Sequence, residues 1–175
     1  DGLGRAYVTG FSSCTGGGNC SFPTVVGPNL TRAASADASR PSMDGFIARV
    51  KADGSSLDYA GFIGGDGYFD VGHAIAVDAS GSAYVAGATD SVTGLPAAPG
   101  FRSIPSGDAS DGFVARISAS GAAVDRFTLL TGTLSGNQSG ADRALAIALD
   151  TDGTVIVAGE TDSSDFPLNS TGSRD

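Results

Sequence analysis

Short runs in which apolar and polar positions alternate, broken by Gly, Asp and Ser, recur along this chain in a fixed order. In 5–12, Ala6 and Val8 fall on one side of a strand and Tyr7 and Thr9 on the other. Segment 44–50 reads Asp-Gly-Phe-Ile-Ala-Arg-Val and returns as Asp-Gly-Phe-Val-Ala-Arg-Ile from Asp111. Each leads into a second β-rich run, 57–63 and 124–131. In 73–77 and 145–149 the bulky residues His73, Ile75, Val77 and Leu145, Ile147, Leu149 share one side while Ala occupies the other. Period-two alternation in runs this short predicts strands, and no 3.6-residue period persists for more than a few residues.

The runs belong to a repeat. Asp78-Ala-Ser-Gly-Ser-Ala-Tyr-Val-Ala-Gly87 has counterparts beginning at Asp1 and Asp150, spaced by 77 and 72 residues. Each places an Asp-x-x-Gly turn before a strand that ends at Gly10, Gly87 or Gly159. One repeat holds four strands, 73–77, 83–89, 112–118 and 124–131, joined as an antiparallel meander, which is what a β-propeller blade requires. The expected fold is therefore all-β. Residues 1–72 form a partial blade (strands two to four) with a disulfide-loop insertion, 73–143 a complete blade, and 144–175 the start of a third. That amounts to about two and a quarter blades where a ring needs roughly four to eight. Either this is a portion of a longer chain or copies associate, because isolated blades would expose raw sheet edges. The Ala-faced runs 73–77 and 145–149 are expected to be the innermost strands, buried on both sides.

Asp53-Gly54 and Ser120-Gly121 read as two-residue hairpin turns. Symmetry about them sets Arg49 opposite Asp58 and Arg116 opposite Asp125, cross-strand ion pairs worth about 0.2–1 kcal/mol each. Binding of an acidic ligand is the alternative role for these arginines. Residues 21–43 are rich in Pro, Ser and Ala and read as a long connection opening with Phe22-Pro23; Leu95-Pro96 and Phe166-Pro167 are its matching dipeptides. Packing of the large side chain onto a sheet, with Pro ending the strand, accounts for all three.

Composition narrows the partners. With 27 Gly, one Met, no Trp and a formal net charge of -9, the chain suits strands and tight turns, and it disfavours nucleic acid and anionic membrane. No run of 18 apolar residues is present to insert in a bilayer. Asp1 already lies inside a repeat, as in an excerpt or a processed chain. Cys14 and Cys20 flank five small or polar residues, and a disulfide closing that loop is the expectation, implying an oxidising compartment. Asn19, Asn29, Asn137 and Asn169 each head an acceptor triplet for glycosylation.

Catalytic chemistry finds little footing. His73 is the only histidine and is expected to pack or to line a channel. No nucleophile elbow, phosphate-binding loop, zinc spacing or Cys–His arrangement occurs. No cofactor is expected, and Ca²⁺ is the one metal with candidate ligands: Asp150 and Asp152 open like a calcium loop without its closing Glu, and Asp66, Asp70 and Asp142 make a second set.

Taken together, the turn-strand unit at Asp78–Gly87, Leu95-Pro96, Asp111–Ile117 and Ala146-Ile147-Ala148-Leu149-Asp150 resembles the SBBP family of β-propeller repeats. The Gly-Gly-x-x-x-Asp segment of that family is present from Gly64 to Asp70 and degenerate between Gly132 and Asp142. The resemblance implies a propeller in a secreted or cell-surface protein of bacteria or archaea and brings no catalytic residue. The expected role is an extracellular, non-enzymatic module, structural, adhesive or ligand-binding. Its partners would be a protein or glycan surface, further blades, or other copies of itself. A self-assembling filament subunit and part of a carbohydrate-active propeller are the alternatives.

Overall fold

The computed structural model describes residues 1–14, 21–33, 41–101, 110–132 and 140–166. Its strands are β1 (Ala6–Cys14), β2 (Ser42–Val50), β3 (Leu57–Ile63), β4 (Asp70–Val77), β5 (Ala83–Thr89), β6 (Asp111–Ile117), β7 (Val124–Leu130), β8 (Asp142–Leu149) and β9 (Val155–Thr161). They form three antiparallel sheets in sequence order: β1-β2-β3, β4-β5-β6-β7 and β8-β9. There is no helix and no closed barrel among the described residues.

The Asp-x-x-Gly turn opens β1, β5 and β9. Gly4, Gly81 and Gly153 each donate to the carbonyl of the Asp three residues back at 3.0 Å and hold positive φ of 77°, 85° and 87°. Asp78 Oδ1 also accepts from the Ser80 and Ser82 amides at 2.9 Å, so side chain and backbone specify the same turn.

The hairpin registers depart from perfect symmetry. Lys51 donates to Ser56 and Gly54 to Lys51, which puts a six-residue connection between β2 and β3 instead of a two-residue turn. Beyond Val50↔Leu57 the register slips, so Arg49 faces Tyr59 and Asp58 becomes the extra residue of a bulge. In the next repeat Ile117 faces Val124, Arg116 faces Arg126, and Asp125 is the bulged residue. A sequence count from the turn cannot register an extra residue that both strands tolerate.

A second repeated bulge falls in the first strand of each repeat. The register skips His73 between Gly72 and Ala74, and skips Leu145 between Ala144 and Ala146. The expected common face of His73, Ile75 and Val77 is therefore broken. Ile75 and Val77 pack against the core, while His73 Nδ1 lies 3.0 Å from the Ala144 carbonyl of β8. These two strands sit at one edge of their sheets; β4 is half-buried over most of its length and β8 alternates to exposed, with Leu145 44% exposed, so the expectation of burial on both sides is corrected.

Sheets stack face on face. Ile47, Tyr59 and Ile63 from the first sheet pack against Val85, Phe113, Ala115, Ile117, Phe127 and Leu129 from the second. The outer edges of β3 and β7 are not bare: Val25 and Ala60 exchange backbone hydrogen bonds at 3.0 and 2.6 Å, Phe62 donates to Asn29, and Phe127 donates to Pro99. The connection between second and third strands thus folds back over the outermost strand and satisfies its free amides. Phe22 lies against Phe46 and Phe62, with centroids 4.8 and 5.1 Å away, and Leu95 packs on the core cluster.

Candidate functional site

Two polar constellations stand out, and they differ in kind. The first is a set of buried carboxylates at or near the starts of β2, β4, β6 and β8. Asp44, Asp70, Asp111 and Asp142 are each no more than 1% exposed. Asp70 and Asp111 flank Thr89 across β4, β5 and β6; Asp142 faces Thr161 and Asp44 faces Ser12. Asp70 accepts from the Thr89 hydroxyl, the Gly65 amide (3.0 Å) and the Ser91 hydroxyl (3.0 Å). Asp142 repeats the design, accepting from the Gly132 amide (3.0 Å) and the Ser163 hydroxyl (2.8 Å). In both cases a carboxylate at the start of one sheet holds the backbone leaving the preceding sheet. Burial pushes the Asp70 carboxyl up to about 6 against those hydrogen bonds. Burial also raises Asp44, opposed by Arg32, whose Nε lies 3.1 Å from it. Asp70 and Asp142 thus join sheets, whereas Asp44 holds the Arg32–Ala33 connection and Asp111 holds Thr131 within their own sheets. Asp44, Asp111, Ser91 and Ser163 escaped the sequence reading, although Thr-Asp-Ser at 89–91 and at 161–163 was a visible signal.

The calcium candidates do not converge. Asp66 accepts from the Val92 and Thr93 amides at 3.1 and 2.8 Å, and these backbone donors hold its carboxyl below the usual range. Asp150 and Asp152 accept from Thr151 and Thr154 within their own turn. Among the described residues no three His, Cys, Asp or Glu side chains gather around one point.

The second constellation is a cleft of about 600 Å³ between the second and third sheets. Its floor is the face of β5, β6 and β7 that bears Tyr84, Val114, Arg116, Arg126, Thr128 and Leu130, and its roof is Arg143, Val155, Val157 and Glu160 with Phe166 beside them. Arg116 anchors a polar line across that floor: Nη1 lies 3.1 Å from Asp125, Nε donates to the Tyr84 hydroxyl at 3.0 Å, and Nη2 donates to Ser82 at 3.0 Å. Arg143 pairs with Glu160 at 2.6 Å, and Arg126 donates to the Asp125 carbonyl. Arg126 and Arg143 carried no signal as single residues in the sequence.

In the first sheet the equivalent face is closed. Arg49 Nε is 2.8 Å from Asp58, its guanidinium lies 4.8 Å from the Tyr59 ring, and Nη1 donates at 2.7 Å to the carbonyl of Ala119 in the β6–β7 turn. Tyr59 is fully buried there, and its phenol is pushed up to about 12, first by burial and then by Tyr7.

Of the remaining predicted positions, Asn29 is exposed and its Oδ1 accepts from the Thr31 amide at 3.1 Å. Asn19, Asn137 and Asn169 lie outside the described residues, as do Cys20 and the Cys14 side chain; no disulfide is present among the described residues. No helix long and apolar enough to cross a membrane occurs among them either. No protein-family model matches the chain, and no curated protein matches it at a significant level.

Proposed function

We propose that the chain is a run of β-propeller blades of the SBBP type in a secreted or surface protein, serving a structural or adhesive role without a catalytic step. The observation that carries this reading is repetition of one interface. Equivalent residues of successive sheets present the same face, Ile47, Arg49, Tyr59 and Ile63 in the first and Val114, Arg116, Arg126 and Leu130 in the second. In both, the following sheet lies over that face, which is how radial blades lean on one another. The arginines at these interfaces are engaged with neighbouring side chains and backbone, Arg49 with Asp58 and the Ala119 carbonyl and Arg116 with Asp125, Tyr84 and Ser82, which supports a scaffold. Turnover of a polysaccharide would instead favour the carbohydrate-active alternative.

Two equivalent turn glycines test the stacking. Gly54 and Gly121 hold φ of 70° and 79°, and a Cβ at Gly54 would meet nothing within 4 Å, whereas one at Gly121 would fall 2.1 Å from Tyr59 Cγ. Asn tolerates positive φ, so Gly54→Asn is expected to change stability by no more than about 0.5 kcal/mol. Gly121→Asn is expected to cost roughly 1–3 kcal/mol through overpacking alone. Equal denaturation midpoints for the two variants would remove blade-on-blade packing from the account.

A further inference from the structure

Every Asn in the chain heads an Asn-x-Ser/Thr triplet: Asn19, Asn29, Asn137 and Asn169 are followed two residues on by Ser21, Thr31, Ser139 and Thr171. Ser and Thr make up about a fifth of the sequence, so chance would place one there after only about one Asn in five. Turns are the ordinary setting for Asn, since its side chain bonds the backbone two residues on. In this chain Asp does that work instead, as Asp53 does for the Ser55 amide and Asp78 for the Ser80 amide, both at 2.9 Å. Asn is kept for the triplets.

Asn29 is the acceptor that lies among the described residues, and its surroundings suit one. Asn29, Leu30 and Thr31 are all exposed. The backbone is fixed, because Phe62 of β3 donates to the Asn29 carbonyl at 2.8 Å. The side chain is oriented as well. The Thr31 amide, which can only donate, lies 3.1 Å from Oδ1, and the Thr31 hydroxyl donates to the same oxygen at 3.2 Å. Nδ2 is left with no hydrogen-bond partner among the described residues. Beside it a cleft of about 310 Å³ opens between the first and second sheets, lined by Pro28, Phe62, Pro96, Ala97 and Val124 together with Asn29. We propose that Asn29 carries an N-linked glycan. Pro96, Ala97 and Val124 give its first sugar an apolar surface to lie on. In the transfer, Nδ2 takes the anomeric carbon of a lipid-linked glycosyl pyrophosphate: the C–O bond to phosphate breaks, a C–N bond forms, and one Nδ2 proton is released with the lipid pyrophosphate. Oδ1 keeps both Thr31 hydrogen bonds, so the sugar is added without disturbing the segment that holds it. The bulky polar group then stands over the connection that covers the outer edge of β3. This inference rests on the secreted or surface reading above, because such triplets are used on exported chains.

The test uses protein recovered from the cells that make it, with its location read first by immunoblot of medium, envelope and cytosol. Trypsin cuts after Arg5 and Arg32, so Asn29 falls on the peptide 6–32, which also holds Asn19. Electron-transfer fragmentation of that peptide separates the two positions and is expected to find sugar mass on Asn29 in most molecules. Thr31→Ala is expected to abolish the addition at Asn29 and Thr31→Ser to keep it, as transfer that reads the triplet requires and a chemical adduct does not. Protein found outside the cytosol with Asn29 bare, or an addition at Asn29 that survives Thr31→Ala, overturns the glycan and leaves the secreted reading standing. Protein confined to the cytosol overturns the secreted reading and the glycan with it.

Discussion

Asp70 has no exposed surface, yet its carboxylate ties three elements together: the Gly65 amide leaving β3, Thr89 at the end of β5, and Ser91 beyond it. Holding a charge there is costly, and burial is the largest influence on it, raising its pKa from 3.8 to about 6. Because the folded protein binds this proton more tightly than the unfolded chain, stability falls as pH rises from about 4 to about 6 and is lowest with respect to this group above that window. A shift of this size corresponds to a few kcal/mol at most. Asp44, also raised by burial, adds a contribution of the same sign. Denaturant titrations of the wild type and of Asp70→Asn between pH 4 and 7 check this: the variant is expected to lose most of the slope. An unchanged slope in Asp70→Asn would show that the carboxyl is ionised in the folded protein throughout.

At the scale of the element, the same strand in two repeats acquires different work. Arg49 in β2 and Arg116 in β6 share the motif Gly-Phe-x-Ala-Arg and each contacts the bulged Asp of the next strand. Only Arg49 also crosses to the following sheet, through Ala119, with its side chain 11% exposed against 33% for Arg116. Arg49→Ala is therefore expected to cost about 1.5–3 kcal/mol, because it breaks a sheet-to-sheet hydrogen bond from a charged donor. Arg116→Ala should cost under about 1 kcal/mol, as for a partly solvated pair. Thermal or urea midpoints decide it, and equal losses would mean that the hydrogen bond to Ala119 adds nothing. Strand positions were legible in the sequence because alternation and repetition both mark them; segment 57–63 coincides with β3 and 83–89 with β5. What alternation could not reveal were the bulges at His73 and Asp58, since an extra residue preserves the apolar pattern on either side of it. The edge cover supplied by Val25 and Pro99 was equally hidden, because it is made by backbone groups in a segment without a period.

Across the whole molecule the three sheets differ in how much they bury. β5 and β6 lie inside a four-stranded sheet packed on the first, with Ala83, Val85, Ala115 and Ile117 fully buried. Among the described residues β9 pairs only with β8, and all of its residues but Val157 are exposed, including Ile156 at 53%. Local opening free energy follows buried apolar contact and the number of neighbouring strands. The β8–β9 pair is therefore expected to open independently, its amides exchanging with solvent at least about a hundredfold faster than those of β5 and β6 in dilute protein. Hydrogen exchange read by mass spectrometry checks this ranking. Slow exchange in β9 already in dilute protein would mean that the two-stranded sheet is held by more than its visible contacts, and the ranking of the sheets by burial would fail.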